Sequence, residues 1–147
     1  MNPQARKIID SCESNFDANK DNCSGFIKAV SADFNITMTG QADDLVDFLT
    51  SSSDWTAIVD GTGAAAKEKA DQSFLVMGGL KSSELTPPRA NGHVVIVVSG
   101  PLDSINNKYP LGYWGVLNGV GEKDASISHA FNTTDRDDVH YFSRPLP

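Results

Sequence analysis

A chain of 147 residues makes one domain, 1–147, large enough for a single core that buries roughly two-thirds of the unfolded surface. Its 39% hydrophobic content is ordinary for a globular protein, and no apolar run approaches the ~20 residues of a membrane-spanning helix. Nineteen acidic residues against twelve basic ones give a formal charge of −7, which repels phosphate backbones and anionic headgroups and makes nucleic acid and membranes poor partners.

The opening segment, MNPQARKIIDSCESNF, lacks the apolar stretch of roughly 7 to 15 residues and the cleavage site of a secretory signal, so the chain is expected to start in the cytoplasm. Ala5, Ile8, Ile9, Cys12 and Phe16 fall on one stripe and predict a helix over 5–16. After a polar turn, Phe26, Ile27, Val30 and Phe34 form a second stripe, so a second helix begins at or beside Cys23. Ala42, Leu45, Val46 and Leu49 predict a third helix over 41–50, with Asp43 and Asp44 at its positive end. AAAKEKAD at 64–71 has high helix propensity and little apolar surface, which predicts a fourth, more exposed helix. The G-x-G-x-x-A run Gly61 to Ala66 that precedes it reads as a helix start, because no alternating βαβ pattern supports a dinucleotide site.

The pattern then turns to strands: 74–80, the β-branched run HVVIVVS at 93–99, the Gly-flanked segment 112–120, and 139–143. KSSELTPPRANG between the first two reads as a loop. Helices first and strands later predict an α+β domain with an antiparallel sheet.

Cys23 is the candidate nucleophile. At a helix start the dipole favours the thiolate, and the unpaired N–H groups of the first turn can donate to an oxyanion. Small or polar neighbours, Asp21, Asn22, Ser24 and Gly25, leave the sulfur approachable. Cys12 has none of this, and a Cys12 to Cys23 disulfide would close only a short loop. The candidate base is His93, at a strand start after Gly92; His129, in a polar segment, and His140, among Asp137, Asp138 and Tyr141, compete for the role. A Cys at a helix start followed by a His on a strand is the spatial plan of papain-like hydrolases, but on these residues alone the reading stops at a thiol hydrolase of unspecified substrate. Asp135-Arg136-Asp137 reads as a loop tied by local hydrogen bonds. Two Cys and three His without close ligand spacing do not point to zinc.

KDNCSGFIKAV around Cys23, SFLVMGGLK at 73–81, GHVVIVVSGPL at 92–102, KYP at 108–110 and NTTDRD at 132–137 together resemble the first family of type VI secretion amidase effectors. The resemblance implies a papain-like, NlpC-type fold with N-terminal helices packed on an antiparallel sheet. Cys23 matches the family's nucleophile and His93 its base, with no metal or organic cofactor. The implied substrate is the stem peptide of peptidoglycan, cut at the D-glutamyl-diaminopimelate amide, with the diaminopimelate-D-alanine crosslink as the alternative. The implied route runs from the producer's cytoplasm, with a type VI hexameric tube protein as carrier, to a neighbour's periplasm, and the producer is protected by a periplasmic immunity protein. A non-catalytic papain-like binding module and an amidase acting on protein side chains are the rival readings. The third group that orients the His is not evident near Trp114; a backbone carbonyl, an ordered water or Asn118 could serve.

Overall fold

The computed structural model describes residues 1–59, 62–104 and 107–147, so the Gly61 end of the glycine run lies outside the described residues. Helix α1, Pro3–Asn19, opens with Asn2 accepting the Gln4 N–H and buries Ala5, Ile8, Ile9, Cys12 and Phe16, the stripe its spacing predicts. Helix α2, Cys23–Asp33, buries Phe26, Ile27 and Val30. Helix α3, Ala42–Ser51, is opened by a reciprocal cap between Gln41 and Asp44 and buries Leu45, Val46 and Leu49. The two-residue strand β1, Thr56–Ala57, precedes helix α4, Gly63–Asp71, whose N–H of Ala65 is capped by Thr62. Strands β2, Phe74–Leu80, and β3, His93–Val97, flank the expected loop, which contains a single 3-10 turn at Ser82–Glu84. Strands β4, Leu111–Trp114, β5, Glu122–Ser126, and β6, His140–Pro145, complete one six-stranded sheet in the order β1-β6-β2-β3-β4-β5. Every pairing is antiparallel, as expected of this α+β, papain-like architecture.

Period-two alternation along the central strands divides the core between the two faces of the sheet. Helices α1, α2 and α3 cover the face that carries Leu75, Met77, Val94, Ile96 and Tyr113. Helix α4 covers the other face, where Val76, Val95, Val97, Trp114 and Tyr141 pack with its small residues Ala66 and Ala70. The fourth helix is therefore less exposed than its composition suggests, because alanines let it lie close to the strands.

Two departures from the periodicity matter for the site. The strand expected over 112–120 ends at Trp114, and the chain turns back through Asn118, whose φ of +61° is left-handed, to enter β5. β5 reads EKDAS, too polar to announce itself, because it is the sheet's outermost strand beyond β4.

Candidate active site

Asn22 builds the start of α2. Its side chain accepts from the Gly25 N–H at 2.9 Å, its backbone carbonyl accepts from Phe26 N–H at 2.9 Å, and the Ser24 hydroxyl donates to its Oδ1 at 3.1 Å. A Cβ at Gly25 would lie 2.7 Å from Asn22 Nδ2 and would push the capping side chain aside. Among the described residues, the N–H groups of Cys23 and Ser24 take no backbone or side-chain oxygen as partner and are left for the sulfur and its substrate. The turn before Cys23 is held by the connection between β4 and β5: the Lys20 carbonyl accepts from Val116 N–H at 3.0 Å and from Gly121 N–H at 2.7 Å. That approach requires Gly115, where a Cβ would lie 2.3 Å from the Asn19 carbonyl oxygen.

His93 opens β3, and Gly92 before it allows the chain to pass where a Cβ would meet the Leu80 carbonyl oxygen at 2.5 Å. Alternation places the imidazole on the face opposite Val94, and its ring meets Phe131 edge-on, with centroids 5.3 Å apart. Cys23 thus arrives from the helical face and His93 from the other, and they share a cavity of about 460 Å³ at the start of β3. The backbone N–H groups of Val94, the residue after His93, and of Ser24 and Cys23 favour the thiolate form of Cys23.

The electrostatics correct one expectation. Helix position was expected to lower the Cys23 pKa, yet the thiol is held above its ordinary value, because burial outweighs the three N–H groups that favour the thiolate. Burial, and second the Arg89 guanidinium, hold His93 down at about 4. The resting pair at neutral pH is therefore thiol and neutral imidazole, a nucleophile waiting on a base and not a preformed ion pair. Cys12 is fully buried in the α1 stripe with its pKa pushed well up, and both thiols are free.

The other histidines part company. His129 also lines the cavity, with Nδ1 3.2 Å from Glu122 Oε1. His140 leaves its neighbours in sequence and pairs with Glu84 at 2.8 Å, away from the site. Asn118 lines the cavity but makes no hydrogen bond to the imidazole among the described residues.

Sequence reasoning missed the cavity's far wall. The NTTDRD segment reaches the loop before His93: Asn132 Nδ2 donates to the Thr86 carbonyl at 2.7 Å, and buried Asp135 accepts from the Thr86 N–H at 3.0 Å. Its hydrogen bonds are thus long-range as well as local. Arg89 stands on that same loop and faces the same cavity.

No protein-family model matches the chain. It is 39% identical to the peptidoglycan amidase Tse1 of Pseudomonas aeruginosa over 146 residues, an alignment that covers 92% of this chain and 87% of the relative.

Proposed function

We propose, because this chain belongs to the first family of type VI secretion amidase effectors together with the peptidoglycan amidase Tse1, that Cys23 and His93 are its nucleophile and base. The protein is a peptidoglycan amidase. What supports the assignment of residues is that Cys23, at the start of α2, and His93, at the start of β3, line one cavity.

Neutral His93 takes the thiol proton as the sulfur attacks the carbonyl carbon of the scissile amide. The tetrahedral oxyanion is met by the N–H groups at the start of α2, which have no oxygen partner among the described residues and stand on a turn fixed by the Asn22 cap. Collapse transfers the His93 proton to the leaving amine and leaves a thioester on Cys23. His93 then deprotonates water, whose attack on the thioester releases a carboxylate and restores the thiol.

The bond cut is the D-glutamyl-diaminopimelate amide of the stem peptide. Family membership supports the rest of the cycle: delivery from the producer by a type VI apparatus with the hexameric tube protein as carrier, action in a neighbour's periplasm, and neutralisation by a periplasmic immunity protein. Killing of a neighbour that persists when the producer's apparatus is disabled would refute the delivery route.

Digestion of purified sacculi tests the chemistry. Wild type is expected to release fragments with new diaminopimelate amino termini, while Cys23→Ala and His93→Ala lose roughly a thousandfold or more in rate. His129→Ala, in the same cavity but paired with Glu122, is expected to stay within a fewfold of wild type. Fragment profiles unaltered by Cys23→Ala would refute the assignment, and newly freed D-alanine ends would move the cut to the crosslink.

A further inference from the structure

The cavity has one permanent cation among its described lining residues, and that cation has no acid partner. Arg89 projects from the loop between β2 and β3, four residues before His93, and its side chain is exposed at the cavity. No ion pair or side-chain hydrogen bond holds its guanidinium among the described residues, whereas Glu122 in the same wall is paired with His129, and Asp135 accepts from the Thr86 N–H through Oδ2 while its other oxygen, Oδ1, is buried without a partner. Its backbone, by contrast, is fixed, with the Arg89 N–H donating to the Ser82 carbonyl at 3.1 Å. The loop is fixed a second time at Thr86 by Asn132 and Asp135. In a chain of net charge −7, where carboxylates outnumber cations, an anchored arginine left unpaired beside the reacting groups is poised for an anion that arrives with the substrate.

We propose that Arg89 is the carboxylate anchor of the cleft, gripping a free carboxylate that flanks the scissile amide of the stem peptide. The inference rests on the bond assigned above. A γ-linked D-glutamyl residue keeps its α-carboxylate free a few bonds from the carbonyl that Cys23 attacks, and diaminopimelate on the leaving side keeps the carboxylate of its distal centre. Both are planar anions that a guanidinium can grip by two parallel N–H bonds, which an ammonium cannot reproduce. Arg89 thereby sets which stem peptides are cut, and amidation of the carboxylate it reads makes a wall resistant.

Three synthetic peptides test this: the parent γ-D-glutamyl-diaminopimelyl peptide, its D-glutamate α-carboxamide, and its diaminopimelate carboxamide. Wild type is expected to prefer the parent over one of the two amides by roughly tenfold in kcat/KM, expressed in KM, and the amide that suffers identifies the carboxylate. Arg89→Leu should lose about that factor on the parent and little on the discriminated amide, so the ratio collapses toward one, and Arg89→Lys should fall between. The ratio separates recognition from electrostatics, since removing a charge next to His93 alters catalysis on all three peptides alike. Preferences unchanged in Arg89→Leu, or a wild type indifferent to both amides, overturn the anchor while leaving the amidase intact. Failure of wild type to cut any of the three, with sacculi still digested, overturns the assigned bond and the anchor with it.

Discussion

His93 stays unprotonated down to strongly acid solution, since burial first and Arg89 second hold it at about 4, while burial keeps the proton on Cys23 beyond the ordinary thiol range. The competent pair holds one proton between its two members, so the window of activity is bounded by these two titrations and is wide. The kcat/KM profile is expected to rise through an acid limb near 4 and to hold level past neutrality; an acid limb at or above the 6.5 of an ordinary histidine would contradict this. Arg89→Gln removes a like charge and should move that limb upward. The same depression has a stability sign: the unfolded imidazole binds its proton first, so the folded state loses stability as pH falls from 6.5 to about 4. A thiol alkylator at neutral pH is expected to label Cys23, which opens on the cavity, at least roughly tenfold faster than Cys12, which is sealed in the core. That Cys23 and His93 are the candidates, and that they open α2 and β3, was legible because a helix start and a Gly-His strand start are local features. The direction of the thiol's pKa was not, because burial depends on what the rest of the chain places around it.

At the scale of elements, the catalytic geometry depends on the start of α2 and on the loop that leads into β3. Asn22→Ala removes the acceptor for the Gly25 N–H and is expected to cost about 1 kcal/mol, or about 3 °C in melting temperature, with a larger proportional fall in kcat than in stability if that turn supplies the proposed oxyanion donors. Paired thermal melts and kinetics check it; a kcat unchanged at full folding would show that the cap does not position the site. Asp135→Ala frees the Thr86 N–H and should speed amide exchange across residues 85–92 while α1 remains protected. Periodicity made α1, α2 and α3 visible, since each buries a stripe of its own, while propensity gave α4 and its β-branched run gave HVVIVV. It could not show β5, whose exposed Lys123 and Asp124 have no apolar alternation, nor the clasp of Asp135 on Thr86, whose partners lie 49 residues apart. Nor could it end β4 at Trp114, because the turn that follows is fixed by Gly115 and Gly121 packing against the Lys20 turn, a contact between distant segments.

For the molecule as a whole, the two core clusters sit on opposite faces of one sheet, with α2 packed against β3, so the cavity between their starts is backed by buried residues on both faces. At long range the molecule works against approach, because a net charge of −7 repels a wall polymer whose stem peptides are themselves anionic. Long-range repulsion is screened over about 10 Å at 0.1 M salt, whereas a contact between Arg89 and a carboxylate inside the cleft is screened less. The two effects therefore have opposite signs. Raising ionic strength from about 10 mM to about 150 mM is expected to increase the rate on intact sacculi, where encounter between two extended anions limits, and to decrease kcat/KM modestly on a short peptide, where the local ion pair matters more. Rates on both substrates across a salt series check the pair of signs. A fall on sacculi as steep as that on the peptide would mean that a basic patch, and not the acidic body of the protein, meets the wall.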